Sequence, residues 1–298
     1  MSAHRSVAPP LHLPGPDAPW EQVHERARAT GRAVVHTTWG EWLYAALLAP
    51  DLRGLLGHDW PRYRQSPTAA DRFTFAVSRM VIKYTAAAVL EAAPVDLDLA
   101  YQPGGRPGLR GYGEELHLSL AHTEELVVVA VSTAGPVGVD TESVERHASY
   151  PLLRDQVCTP QEAVVLDALP EDERRARFLR LWTLKEAYTK ALGHGMRRRF
   201  STVGFTWDDE GRAALAGDSA GERGWSFATH LVGGRYLVSE AHRATAPRPG
   251  APYSPGELTA NLSELTAGPG ELPTSPGELT ASLSDLVAPL APPPPAGA

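Results

Sequence analysis

The sequence has almost no cysteine, and this excludes two kinds of site. Its 298 residues contain a single cysteine, Cys158. One thiol can form neither a disulfide framework within the chain nor a cysteine-based zinc site. So little cysteine fits a reducing compartment, and we therefore expect a cytoplasmic protein.

Long apolar segments are also missing. No run of about 18 apolar residues occurs, so we expect no membrane-spanning segment. The first ten residues, MSAHRSVAPP, lack the apolar core of a signal peptide. Apolar residues make up 43% of the chain and charged residues 21%, which is ordinary for a globular protein.

A strong net charge is absent from most of the chain. The net charge is −7, but residues 246–298 carry five acids and one base, which leaves about −3 for the remaining residues. Because the body is close to neutral, we expect no nucleic-acid partner. Two short basic runs, at 174–177 and 197–199, are either solvated surfaces or contacts for an anionic partner.

Apolar periodicity predicts a mixture of helices and strands. Long helices are predicted over 68–92 and 171–192, and a shorter one, with Thr159, Pro160 and Glu162 as its start signal, over 159–169. Strands are predicted over 115–121, 126–132, 137–142, 203–207 and 225–239. A Gly/Pro-rich loop, YQPGGRPGLRGYG, follows the first long helix.

The two ends of the chain are predicted to be poorly ordered. Residues 1–33 are rich in proline and charge, which indicates a partly disordered N-terminal arm with one short helix. After residue 245, SPGELTANLSEL (254–265) recurs as SPGELTASLSDL (275–286). Two such short repeats cannot bury a core, so 246–298 is interpreted as a disordered tail with transient helical turns.

Asp140 and Glu142 are the first candidates for chemistry. Positions i and i+2 of a strand share one face, so the two carboxylates repel each other unless a positive group lies between them. Mg²⁺ is the simplest such group, because it binds one or two carboxylates together with water and phosphates. The alternative is a strand end with two solvated acids.

The helix over 171–192 supplies further candidates. Trp182, Glu186 and Lys190 are four residues apart and share one stripe. Glu186 is a candidate metal ligand or general base, and Lys190 a candidate contact for an oxyanion or leaving group. The alternative is an ordinary stabilising pair between Glu186 and Lys190. Lys185 points about 100° away from Glu186, so it is placed only at the edge of such a site.

Two more residues are weaker candidates. Arg106 lies in the PGGRPG loop, where a guanidinium and backbone amides can hold phosphate. His122 follows a predicted strand, and a lone histidine there is more often structural. The sequence contains no HExxH, GxSxG, Walker A or GxGxxG pattern.

Taken in chain order, four segments resemble one known family. GGRP, LSLAHT, GVDTE and WTLKEAYTKALG are similar to segments of the Sfp-type 4′-phosphopantetheinyl transferase superfamily, whose diagnostic motifs are GVDxE and WxxKEAxxKxxG. Residues 138–142 match the first motif, and 182–193 match the second at every specified position. The resemblance covers roughly residues 35–240.

The resemblance implies a fold and a reaction. The expected fold is α+β, a pseudo-two-fold pair of α/β halves over 34–135 and 136–245, with coenzyme A bound between them. The implied reaction moves the phosphopantetheine arm of coenzyme A to a serine of an apo acyl- or peptidyl-carrier protein and releases 3′,5′-ADP. The implied cofactor is Mg²⁺, and a monomer is expected because one chain holds both halves.

The resemblance also implies roles for single residues. Asp140, Glu142 and Glu186 match the metal-binding acids, and Asp140, Glu186 and Lys190 form the implied catalytic set. The implied contacts of coenzyme A are Arg72, Arg106, His122, Lys185 and Lys190. One departure is Ala121, because the family commonly has serine before this histidine. Ser119 or Thr123 would have to supply the missing hydroxyl.

Two other functions remain as alternatives. A different Mg²⁺-dependent phosphoester hydrolase acting on a nucleotide would use the same acids but would need no carrier protein. A non-catalytic interaction protein would instead use the repeat tail as its working part. Binding of coenzyme A and dependence on a carrier protein separate these alternatives from the transferase.

Overall fold

The computed structural model describes residues 7–102, 104–113, 115–146, 148–193 and 199–244. The tail over 246–298, predicted to be disordered, lies outside the described residues.

The helices are α1 (Glu21–Thr30), α2 (Leu43–Leu48), α3 (Leu52–Leu56), α4 (Trp60–Gln65), α5 (Ala69–Leu90), α6 (Tyr150–Val157), α7 (Pro160–Asp167) and α8 (Glu171–Leu192). The strands are β1 (Leu11–His12), β2 (Arg32–Thr38), β3 (Leu99–Tyr101), β4 (Pro107–Leu109), β5 (His117–Thr123), β6 (Leu126–Ser132), β7 (Val137–Ser143), β8 (Gly204–Trp207), β9 (Ala213–Ala216), β10 (Trp225–Val232) and β11 (Tyr236–Arg243).

Each half of the molecule repeats the same strand, helix and hairpin. In the first half, β2 is followed by α5 and then by the hairpin of β5 and β6, and the sheet order is β1-β2-β6-β5. In the second half, β7 is followed by α8 and the hairpin of β10 and β11, and the order is β10-β11-β7. In both, the helix has 22 residues and the last strand of the unit lies between the other two. The pseudo-two-fold α+β fold is therefore confirmed.

The two sheets are joined by a thin apolar layer. Its buried members come from β5, β6, β7 and β11 together with Val34, and include Ala121, Val128, Val139 and Val238. The backbone N–H of Val139 donates to the hydroxyl of Ser119 across this layer, at 3.1 Å. Buried apolar contacts of this kind hold β5 and β7 side by side, and this fixes the position of one half relative to the other.

The long helices begin and end where their sequences indicate. Thr68 and Asp71 form a capping box at the start of α5. Helix α8 ends at Gly193, whose φ of 71° is in the left-handed region that favours glycine. By length and a mean hydropathy of 1.3, α5 could cross a membrane, but 61% of that window is buried within the fold, as is typical of a core helix.

The N-terminal arm contains the one short helix that was expected, α1, and its Leu13, Val23 and Ala27 are buried in the first core. One prediction is corrected by the fold. The single strand predicted over 225–239 is a hairpin, and its turn contains Gly233 and Gly234, both with positive φ. The Gly-Gly pair was an available turn signal.

Helix α8 approaches β7 so closely that residue 138 has no space for a side chain. A Cβ on Gly138 would lie 2.0 Å from the carbonyl oxygen of Ala187 and 2.5 Å from the backbone nitrogen of Ala191. We expect Gly138→Ala to lower the stability by about 1–3 kcal/mol or more, because α8 must move away from the strand. Chemical denaturation checks this, with Gly108→Ala, where a Cβ meets nothing within 4 Å, as the control. Equal midpoints for the two variants would contradict it.

Candidate active site

Three carboxyl groups meet where α8 crosses β7. Asp140 and Glu142 project from one face of β7, and Glu186 comes from the middle of α8. All three residues are at most 8% exposed. This close approach is possible because Gly138 allows α8 to contact the strand. The charges of Asp140 and Glu142 act on Glu186 across this contact.

Two basic side chains balance part of this charge. The Lys190 ammonium donates to Oδ1 of Asp140 at 2.7 Å. A guanidinium nitrogen of Arg146 lies 2.9 and 2.7 Å from the two oxygens of Glu142. The second oxygen of Asp140, Oδ2, is buried and has no hydrogen-bond partner among the described residues. A buried acceptor without a partner is costly and marks a place for a further positive group.

The cluster holds more negative charge than its burial favours. Burial, and then the charges of Asp140 and Glu142, raise the pKa of Glu186 to about 8. Burial and the charge of Asp140 also raise the pKa of Glu142. Burial alone would lower the pKa of Lys190, but the charges of Asp140 and Glu186 outweigh it and raise that pKa. A proton on Glu186 relieves the repulsion, and a cation would relieve it as well.

The residues fit a divalent cation by chemistry, although they do not form a closed metal site. In the described part of the chain, no three His, Cys, Asp or Glu side chains are arranged to hold a metal ion. Lys190 and Arg146 already occupy oxygens of Asp140 and Glu142. The unpartnered Oδ2 of Asp140 and the carboxyl of Glu186 are nevertheless oxygen donors of the kind that Mg²⁺ prefers. Mg²⁺ binding therefore stays a prediction.

A cavity of about 600 Å³ lies in the first half. The residues that line it include Arg62, Phe75, Arg79, Tyr101 and His122. The Arg79 guanidinium lies 4.2 Å from the centre of the Phe75 ring and that of Arg62 lies 5.3 Å from the centre of the Tyr101 ring. Cations stacked on rings beside an open space can receive an anionic aromatic ligand.

His122 lies between the cavity and the carboxylate cluster. Burial, and then the positive charges of Lys190 on one side and Arg79 on the other, lower the pKa of His122 to about 4. His122 is therefore neutral at physiological pH in the ligand-free protein. Its imidazole is therefore close enough to both Lys190 and Arg79 to be affected by their charges.

The lowered pKa of His122 predicts a pH-dependent contribution to stability. As the pH falls, the unfolded chain takes up its proton first, near its ordinary value of about 6.5. The contribution of neutral His122 to the stability of the folded protein is thus full above pH 6.5. It is lost as the pH falls towards about 4. In urea titrations, we expect the free energy of unfolding of His122→Gln to decline less than that of the wild type across this range. Parallel curves would contradict the assignment.

Arg106 and Arg72 lie beside the cavity rather than in its lining. Arg106 donates to the carbonyl of Ala191 at 3.2 Å and lies 3.2 Å from Nδ1 of His117, so it ties its loop to the end of α8. Its neighbours Gly105 and Pro107 do line the cavity. Arg72 is half-buried in the first turn of α5, and Asp71 lines the cavity in its place.

Lys185 does not belong to the site, and its prediction as a contact of coenzyme A is corrected. Its ammonium donates to Glu162 at 2.6 Å and to the carbonyls of Val157 and Phe200 at 2.6 and 3.0 Å. The residue is fully buried on a different face of α8, about 100° away from Glu186. It therefore holds α7 and the segment after α8 in place.

The structure also explains why alanine occupies position 121, before His122. Ala121 is buried in the apolar layer between the two sheets, whereas His122 faces the cavity. Ser119 points to the same layer as Ala121, where its hydroxyl accepts from Val139. Ser119 therefore does not replace a hydroxyl in the cavity. Thr123, at the end of β5, is on the same face of the strand as Ser119 and Ala121 and does not line the cavity either.

Three arginines of the site were missed by the sequence reasoning. Arg79 lies two turns after Arg72 on α5, and it pairs with Asp59 at 3.3 Å. Arg62 comes from α4, and Arg146 follows β7. For Arg79 the buried stripe of α5 was an available signal, because an arginine among apolar residues indicates a buried partner. No sequence signal placed Arg62 or Arg146.

The comparisons with known proteins agree with this geometry. Residues 136–245, which contain β7, α8 and the second hairpin, match the model of the 4′-phosphopantetheinyl transferase superfamily. Over these residues the chain is similar to that superfamily. Their match includes Asp140, Glu142, Glu186 and Lys190, and the resemblance of the two motifs to this family is thereby confirmed.

Individual relatives are also described as 4′-phosphopantetheinyl transferases. The 4′-phosphopantetheinyl transferase HetI of Nostoc sp. is 29% identical over 129 residues, which are 43% of this chain and 54% of that protein. The 4′-phosphopantetheinyl transferase gsp of Aneurinibacillus migulanus is 33% identical over 82 residues, or 28% and 33% of the two chains. The 4′-phosphopantetheinyl transferase AcpT of Escherichia coli K12 is 28% identical over 153 residues, or 51% and 68%. The chain thus spans between about a third and two thirds of the length of these relatives.

A solved structure with a related description overlaps only weakly. The holo-ACP synthase of Plasmodium yoelii is 19% identical, covers 38% of this chain and 95% of its own, and has a TM-score of 0.28. An overlap of that size supports no argument about the arrangement of the two halves. The similarity to the superfamily therefore depends on the matched residues 136–245 and on the relatives.

Proposed function

We propose that the protein is a 4′-phosphopantetheinyl transferase of the holo-[acyl-carrier-protein] synthase type. It would move the phosphopantetheine arm of coenzyme A to a serine of an apo acyl- or peptidyl-carrier protein and release 3′,5′-ADP. One observation carries the proposal. His122 is next to both the cluster of three buried acids with Lys190 and the cavity with its cationic side chains. A nucleotide with a reactive pyrophosphate would need both the cavity, to bind the nucleotide, and the cluster, to act on the pyrophosphate.

The cavity suits the nucleotide end of coenzyme A. Its volume of about 600 Å³ is within the usual range for ligand sites. Arg62, Arg79 and His122 would receive the 3′-phosphate and stack on the adenine, as cationic and aromatic side chains do. The pyrophosphate would then lie towards Lys190, the positive group of the neighbouring cluster.

The acids and Lys190 supply the chemical step. The hydroxyl oxygen of the carrier's serine forms a bond to the β-phosphorus, and the bond from that phosphorus to the bridging oxygen breaks. Glu186, once ionised, accepts the serine proton, and Lys190 neutralises charge on the departing 3′,5′-ADP. Because the pKa of Glu186 is about 8 in the ligand-free protein, added positive charge would lower that pKa and free its carboxylate as a base.

We further propose Mg²⁺ as the cofactor. Asp140, Glu142 and Glu186 are the side chains that would hold it. When bound, it would neutralise pyrophosphate charge for an in-line displacement. We expect the enzyme to act as a monomer in the cytoplasm, and to serve carriers of fatty-acid, polyketide or nonribosomal-peptide synthesis.

Release of 3′,5′-ADP separates the transferase from a nucleotide hydrolase. We expect release only when coenzyme A, Mg²⁺ and an apo carrier are all present. A carrier whose acceptor serine is replaced by alanine is the matched control and should give no release. Release at the same rate from coenzyme A alone would overturn the transfer reaction and favour the hydrolase.

Arg62 offers a test of the nucleotide site that does not depend on turnover. A charged hydrogen bond contributes about 1.5–3 kcal/mol, so Arg62→Ala should weaken binding of coenzyme A by roughly tenfold to a hundredfold. Arg64 is on the same helix but is exposed and does not line the cavity, so Arg64→Ala is the control. Calorimetry with coenzyme A checks both. Equal affinities would exclude this cavity as the site.

A further inference from the structure

A second groove, distinct from the candidate active site, runs along the first half of α8. Its volume is about 780 Å³. Leu169, Leu231 and Leu237 give it an apolar surface, and Leu231 is 59% exposed. An exposed leucine in a concave apolar surface favours a partner that covers it. The proposed transfer reaction makes no use of this groove.

Three arginines make the edge of this groove basic. Arg175 donates to the carbonyl of Val144 at 3.4 Å, Arg177 lies over Trp207, and Arg180 donates to the carbonyl of Gly211 at 2.7 Å. Within the described ranges, none of the three forms an ion pair with a carboxylate. The acids of the groove, Asp172 and Glu173, lie in the first turn of α8, where the helix dipole offsets their charge.

The chain itself contains segments that complement this groove. In SPGELTANLSEL (254–265), Leu258, Leu262 and Leu265 have the i, i+4, i+7 spacing of one helix face. Ser254, Pro255 and Glu257 form the start signal of such a helix, a capping box with proline at its first position.

The repeat SPGELTASLSDL (275–286) keeps every one of these features. Leu279, Leu283 and Leu286 form the same stripe, and Glu278 and Asp285 keep its negative charge. Residues 246–298 as a whole carry five acids and one base. An acidic segment with a leucine stripe matches a basic groove with an apolar floor in both charge and polarity.

The length of chain after β11 allows either repeat to reach the groove. Strand β11 ends at Arg243, and Leu237 is six residues earlier, or roughly 20 Å at the usual rise of a strand. The nine residues at 245–253 can span about 30 Å when extended. The 30 residues at 245–274 have a root-mean-square span of about 30 Å as a flexible linker.

We propose that the repeats at 254–265 and 275–286 dock in turn, as short helices, in the groove of their own chain. The leucine stripe covers Leu231 and Leu237, and the acids face Arg175 and Arg177. The two repeats compete for one groove, so only one is bound at a time. This assignment is independent of the transferase activity.

Hydrogen–deuterium exchange on the full-length chain tests the proposal. Amides of the repeats should exchange at least about tenfold more slowly than an unstructured chain of the same sequence. Leu231→Glu should remove that protection. Leu152→Glu is the matched control, because Leu152 is 69% exposed on α6, away from the groove, and this variant should keep the protection. Both replaced side chains are exposed, so unchanged melting curves are expected and exclude misfolding.

Three outcomes would overturn the proposal. The first is exchange of the wild-type repeats at the rate of an unstructured chain. The second is protection that survives Leu231→Glu. The third is protection that disappears on dilution, because this would place the repeats on a second copy of the chain rather than on their own groove.

Discussion

Replacement of Asp140 by alanine, or of Glu186 by glutamine, is expected to abolish carrier modification. Both side chains are buried in the cluster beside Lys190, and in the proposed reaction both would hold Mg²⁺ and Glu186 would accept the serine proton. Loss of a general base or of a charge-stabilising group typically lowers the rate by about 10²–10⁴-fold. Initial rates of holo-carrier formation, measured with coenzyme A and Mg²⁺ in excess, check this.

Glu240→Gln is the matched control for these variants. Glu240 is also a buried carboxyl, on the strand that pairs with β7, but it faces the other half and pairs with Arg32 at 3.3 Å. This variant should lose stability yet keep most of its turnover. Wild-type rates for Asp140→Ala or Glu186→Gln, in folded protein, would remove the assignment of the site.

Lys185→Met is expected to cause a large loss of stability. It leaves the Glu162 carboxylate and the carbonyls of Val157 and Phe200 without their ammonium partner. Removal of one member of a buried ion pair costs about 3–5 kcal/mol. For a domain of this size, that lowers the melting temperature by roughly 10 °C. Scanning calorimetry of Lys185→Met checks the size of the effect.

Two further variants separate this structural role from a catalytic one. Lys185→Met combined with Glu162→Gln should regain part of the stability, because the uncompensated carboxylate is gone. Lys190→Met is the converse control, because the Lys190 side chain is 25% exposed. This variant should lose activity with a smaller change in melting temperature than Lys185→Met. A Lys185→Met variant that melts normally but is inactive would return Lys185 to the site.

The adjacent residues Lys185 and Glu186 show what the sequence can and cannot predict. The 3.6-residue period of α8 correctly placed them on different faces, about 100° apart. The period does not tell which face lies on the sheet and which lies on α6 and α7. A lysine is usually exposed, so a fully buried Lys185 could be recognised only when Glu162 and two carbonyls were seen around it.

The cavity was less predictable than the carboxylate cluster. Asp140 and Glu142 are two residues apart on one strand, and Glu186 lies in a motif about 45 residues further on. Arg62, Arg79 and Tyr101 come instead from separate elements, and only the packing of α4 and β3 against α5 brings them together. Local patterns therefore predicted the chemistry of the cluster but not the cations of the neighbouring cavity.

The intact mass of an apo carrier protein tests the central claim most directly. After incubation with this protein, coenzyme A and Mg²⁺, the carrier should gain the mass of one phosphopantetheine group. The gain should be absent when coenzyme A or Mg²⁺ is omitted, or when Glu186→Gln replaces the wild type. An unchanged mass for every member of a panel of acyl- and peptidyl-carrier proteins, with the protein folded, would contradict the account.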